Sequence, residues 1–125
     1  MNYLDNNMFA LSNKVLNCLW QKQVVIADNI ANVETPGYKA KYVTFEDELH
    51  QKVSRAKGRQ AVRAGIENTR ANIHLSENES TKADGNNVNA DAEQMEQAKT
   101  ALQYNYMVKA LNDDIARYRT VIKGQ

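Results

Sequence analysis

The residues of this chain best suited to metal or nucleophilic chemistry are two histidines, His50 and His74, and one cysteine, Cys18. Their spacing serves neither purpose. A zinc site draws on His or Cys pairs a few residues apart, and no His-x-x-His or Cys-x-x-Cys pair exists. Glu46, Asp47 and Glu48 are consecutive. On a helix such neighbours diverge, so they read as a polar face rather than a general acid and its base. There is no glycine-rich phosphate loop and no G-x-S-x-G nucleophile elbow. Cys18 sits beside Leu19 in an apolar-periodic stretch and reads as a small packed side chain. Trp20, Tyr104, Tyr106 and Tyr118 lie in helical stretches without an interleaved basic patch, which points to core or interface packing rather than base stacking. The expectation is a non-enzyme, with no cofactor, no metal and no nucleic acid.

Three regions would position these residues. In the first, Leu4, Leu11, Val15, Leu19, Ile26, Ile30 and Val33 recur at sums of three and four, with Lys14, Lys22 and Asp28 between them. That amphipathic stripe predicts a helix over 8–32. In the last, Met95, Ala98, Leu102, Val108, Leu111, Ile115, Tyr118 and Ile122 predict a helix over 90–122, about 50 Å long. Asp91, Glu93 and Glu96 near its start and Arg117, Arg119 and Lys123 at its end complement the helix dipole. Asn89 or Asp91 is the expected N-cap. Asn105 falls near the seam, where burial would set register; the alternative is a solvated edge. The middle segment, 33–89, reads as turn and loop. Tyr42, Val43 and Phe45 suggest a short extended piece, and Phe45, Leu49 and Val53 a short helix. From 56 to 83 the chain is polar, contains Gly58 and Gly65, and reads as a loop. Eight of the sixteen basic residues lie between 39 and 70, against four acids. They form either a contact for an acidic neighbour or a solvated basic loop. The fold class expected is mainly α: two long terminal helices pairing as an antiparallel coiled coil, joined by an irregular middle segment.

Composition bounds the answer without choosing it. A chain of 125 residues is one domain, and a net charge of +1 gives no reason to expect nucleic acid or an acidic membrane. Mean hydropathy of -0.66 suggests a thin core. No apolar run is long enough for a transmembrane helix. The first fourteen residues, MNYLDNNMFALSNK, lack a basic region followed by an apolar core, so no cleavable signal peptide is expected.

Two short segments carry the specific information. Residues 26–39, IADNIANVETPGYK, run from an apolar helical face through Asn29 and Asn32 into a reversal at Thr35, Pro36, Gly37 and Tyr38. Pro36 disfavours a helical Thr35, and Pro-Gly suits the centre of a type II turn. Residues 84–89, DGNNVN, hold Asp84, Gly85, Asn86 and Asn87 ahead of the last helix, which ends in R-x-R-x-x-I at Arg117, Arg119 and Ile122. Together they resemble the signatures of the bacterial flagellar axial family, which builds rod and hook. Asp28, Glu34 and Asn89 stand where that family usually has Asn, Asn or Asp, and Asp. The shortness of the middle segment is similar to proximal rod members, since hook and distal rod members carry extra domains.

The resemblance implies a structural subunit of the proximal rod, packing helically with its neighbours to pass torque from rotor to hook. It implies contacts with FlgC-, FlgF- and FlgG-type rod proteins, the adaptor FliE and the MS-ring protein FliF, with self-association in the rod. It implies a place in the periplasmic part of the basal body, reached through the flagellar type III export apparatus. Under that reading Leu11, Val15, Leu19, Ile26, Ile30, Met95, Leu102, Val108, Leu111, Ile115 and Ile122 are packing or assembly residues. The alternative from pattern alone is a soluble helical adaptor or export chaperone that binds a partner helix in a groove.

Overall fold

The computed structural model describes residues 6–80 and 82–124. Leu4, the first residue of the expected N-terminal stripe, lies outside them. Among the described residues the fold is mainly helical. Helix α1 spans Asn6–Ala31, strand β1 Lys41–Thr44, α2 Glu46–Arg55, α3 Arg59–Asn68, strand β2 Asn72–Leu75 and α4 Ala90–Ile122.

The long helices start and stop for local reasons. Asn89 caps α4, its side chain accepting from the Ala92 amide, with Asp91 and Glu93 in the first turn. The last turn of α1 has no basic residue of its own. There the Asn32 amide is shared between the Asp28 and Asn29 carbonyls, and the chain tightens as Val33 N–H donates to Ile30 O at 3.3 Å.

The core is small and lies where α1 and α4 meet the middle segment. Cys18, Leu19 and Phe45 are buried together, with Val15, Ala71, Tyr104 and Met107 packed around them. Ile26, Val43, Leu49, Ile66 and Val88 are also buried. Burial raises the Cys18 thiol pKa, keeping it protonated.

Two findings depart from the sequence reading. First, residues 56–83 are not simply a loop. They hold α3 and β2, and β2 pairs antiparallel with β1, Lys41 opposite Leu75 and Thr44 opposite Asn72. The two glycines that suggested a loop have structural uses. Gly58 is the N-cap of α3. Gly65 lets α3 lie against α2: a Cβ there would sit 3.1 Å from the Lys52 carbonyl oxygen. Second, the α4 stripe does not hold one side. Its later members Val108, Leu111, Ile115 and Tyr118 are half-buried. Met95, Leu102 and Ile122 are 74%, 71% and 64% exposed. The step of six from Leu102 to Val108 crosses to a different face at 3.6 residues per turn. The inner face of the first half is instead Glu93, Glu96, Thr100 and Tyr104. Asn105 is a solvated edge residue.

Four of the eight basic residues between 39 and 70, Lys39, Lys41, Lys52 and Arg63, are employed inside the chain. Lys41 pairs with Asp28, Lys52 with Glu48 and Arg63 with Glu67. Lys14 Nζ donates to the Glu67 and Thr69 carbonyls, and Lys52 Nζ to Asn68 O. Two lysines thus sit on the C-terminal carbonyls of α3, where positive charge is favoured.

Candidate assembly interface

The two signature segments, about fifty residues apart in sequence, form one polar knot. The end of α1 leaves carbonyls without helical partners. Asn86, fully buried, donates through Nδ2 to Asn32 O at 2.8 Å and Thr35 O at 2.9 Å. Lys82 Nζ donates to Val33 O at 2.8 Å, supplying the positive charge that α1 lacks. Across the reversal, Tyr38 N–H donates to Thr35 O at 3.2 Å, closing a turn with Pro36 and Gly37 at its centre. Gly37 has φ of +74°, the left-handed region that a type II turn requires there. Its own N–H donates to Asp84 O at 2.9 Å.

The second segment holds its shape by side chains of its own. Asp84 Oδ1 accepts from the Asn86 amide and Asn86 Oδ1 from the Val88 amide. Ser80 Oγ donates to Asn86 O. Asn87 then extends the pairing of the strands. Its Oδ1 accepts from Ala40 N–H at 2.6 Å and its amide donates to the Ser76 and Asn78 carbonyls. Lys39 Nζ reaches Gly85 O at 2.6 Å.

Asn29 ties the knot to both long helices. It is fully buried, and its side chain takes both polar groups of one strand residue: Oδ1 accepts from Lys41 N–H and Nδ2 donates to Lys41 O. Nδ2 also lies 3.1 Å from Glu93 Oε2 on α4. Tyr38 OH lies 3.2 Å from both Asp28 Oδ2 and Asn29 Oδ1, which share its single proton. Burial and then the Asp28 charge raise the Tyr38 pKa, so the phenol stays a donor. Sequence reasoning missed Ser80, Lys82 and Glu93 as parts of this knot. Only their contacts mark them.

The assembly residues divide. Leu19 and Ile26 are buried, Leu11, Val15 and Ile30 half-buried, and Met95, Leu102 and Ile122 exposed. An apolar groove of about 910 Å³ opens between α1, α2 and α4, with Leu11, Val15 and Phe45 among its lining and Leu102 and Tyr106 on one wall. On another face, Trp20 and Val24 stand 59% and 52% exposed. The residues first considered for chemistry are dispersed. His50 lines the groove. His74 stacks on Tyr42 with ring centroids 5.0 Å apart and shares a hydrogen bond with Thr44. Among the described residues no group of three His, Cys, Asp or Glu side chains could hold a metal.

The profile of the family described as "Flagella basal body rod protein" matches residues 16–39, which end inside the knot. The chain is 35% identical over 107 residues to the flagellar basal body rod protein FlgB of Bacillus subtilis, covering 82% of this chain and 83% of the relative. It is 30% identical over 123 residues to FlgB of Escherichia coli, covering 89% of each. The chain belongs to the FlgB family of flagellar basal body rod proteins. The match to the Buchnera aphidicola FlgB, 28% identical, extends over 95% of this chain. A FlgB-family chain is a structural component of the flagellar basal body rod. No helix among the described residues is long and apolar enough to cross a membrane.

Proposed function

We propose that this FlgB-family chain is a proximal rod subunit in which α1 and α4 pair antiparallel as a coiled coil and pack helically against related chains. Asn29 near the end of α1 meets Glu93 at the start of α4, while Val15 packs near Met107. Contacts running in those opposite senses support the antiparallel arrangement. The observation that carries the assembly reading is the uncovered apolar surface on both long helices, at Trp20, Val24, Met95, Leu102 and Tyr106. A free-standing subunit has no use for such a surface; a subunit enclosed by neighbours does. In this reading FlgC-, FlgF- and FlgG-type rod proteins, FliE and FliF are the neighbours, type III export delivers the chain to the periplasmic rod, and the packed helices carry torque to the hook.

Ile115 provides the test. It is half-buried on α4. Aspartate there puts a carboxylate into a helix interface, at a cost of several kcal/mol when unpaired. In a strain lacking the native gene, Ile115→Asp should give no swimming and no isolable rods. Arg59→Ala, at an exposed position opening α3, should restore both. A motile Ile115→Asp strain would overturn the reading.

A further inference from the structure

The groove and the Trp20 face lie on opposite sides of α1. Leu11, Val15 and Leu19 line the groove. Trp20 and Val24, with exposed Ala27 and Ala31 in the same row, point roughly 160° away at 3.6 residues per turn. We propose that the Trp20 face of one copy seats in the groove of a second copy, head to tail; the proposal rests on the rod-subunit reading.

The chemistry of the two surfaces matches. Trp20 is the only tryptophan of the chain. A large exposed aromatic anchor entering a dry apolar pocket is the usual centre of a strong protein contact. The groove offers an apolar pocket, floored by Leu19 and Phe45 and walled by Leu49, Val53, Leu102 and Tyr106. The flanking charges also match. Arg70 borders the depression beside Trp20. Asp47 stands in the first turn of α2 beside the groove-lining Glu46, which is itself paired with Lys22.

Area points to the same occupant. The chain exposes 8674 Å². A compact monomer of this mass exposes roughly 6,800 Å². The excess, about 1,900 Å², is of the size buried in one standard interface. In a head-to-tail array each copy contributes one half at its Trp20 face and the other at its groove. A contact between two different patches that does not close on itself continues as a helical filament.

Two exposed substitutions test the pairing on the full-length chain. Trp20→Asp destroys the knob and keeps the groove. Leu102→Asp destroys a groove wall and keeps the knob. Each alone should self-associate at least about tenfold more weakly than the native chain in sedimentation velocity. Mixed, they regain one intact interface and should form a 1:1 complex that grows no further. The remaining tryptophan, on the Leu102→Asp chain, should then shift its emission to the blue. Val24→Asp with Tyr106→Asp repeats the experiment if circular dichroism shows that a first-pair variant has lost helicity. A native chain that stays monomeric throughout the titration, native-like association of either variant, or a mixture without a 1:1 complex would overturn the pairing. So would association only with a different rod protein. A chain that restores motility yet fails the mixing test refutes the pairing and leaves the rod reading standing.

Discussion

At Gly37 the backbone and not the surroundings sets the constraint. Its φ is +74°, yet a Cβ there would meet nothing within 4 Å. Substitution is therefore a clean test of backbone strain. Gly37→Ala should cost about 1–2 kcal/mol and Gly37→Val more, because a β-branched residue is least tolerant of this region. Gly37→Asn should recover part of the loss, since Asn enters the left-handed region more readily. Thermal unfolding of the three variants would measure the order, and equal melting temperatures for Asn and Val would contradict it. Thr100 presents the opposite case. It is fully buried on the inner face of α4, and its hydroxyl has no hydrogen-bond partner among the described residues. Thr100→Val keeps the shape and removes the unpaired polar atom, so it should stabilise the chain by about 1 kcal/mol. Denaturant midpoints at constant m-value would read this, and a lowered midpoint would point to a partner for the hydroxyl.

Among the elements, α2 and β2 are joined through Glu48. Its carboxylate accepts from Lys52 at 2.6 Å and from Asn72 at 2.8 Å. These hydrogen bonds hold its pKa below the ordinary value of 4.5. A lowered folded pKa means that the charged form is favoured in the native state. The contribution is therefore present above the unfolded value and fades as pH falls through the folded one. The stability curve of the native chain should drop more steeply below about pH 4.5 than that of Glu48→Gln, with a modest difference because the site is partly solvated. Parallel curves for the two proteins would show that the tie contributes nothing. Helix α3 depends on its neighbours in a similar way. Its charged exposed face and its internal Gly65 weaken it in isolation, and the lysines from α1 and α2 secure its end.

For the whole molecule, the balance between core and surface governs order. The buried cluster is small, and the surface exceeds that of a compact chain of equal mass. Long helices that extend past such a core hold little protection by themselves. In dilute solution the amides around the knot, near Asn29, Tyr38 and Asn86, should exchange slowly. Those towards the start of α1 and the end of α4 should exchange quickly and gain protection as concentration rises. Uniform slow exchange from residue 8 to 122 in dilute solution would show that the fold is independent of partners.

Much of this was legible in the chain itself. Residues 6–31 and 90–122 form long helices because apolar periodicity and the Asn89 cap are local signals. The Thr35-Pro36-Gly37-Tyr38 reversal is local too, since ring sterics and glycine's freedom dictate it without tertiary help. The two signature segments were each recognisable, but not that they complete one another. Asn86 and Lys82 satisfy carbonyls about fifty positions away, and a one-dimensional pattern has no term for such a bond. Strand β2 stayed hidden for the same reason: Asn72–Leu75 is extended through pairing with β1. The side of α4 turned towards α1 was also a tertiary decision. The apolar stripe of its first half, Met95, Ala98 and Leu102, lies on the exposed face, and periodicity finds a stripe without saying what covers it. Packing turned Glu93 towards α1, whose end presents the Asn29 amide, and left Met95, Leu102 and Tyr106 to the solvent.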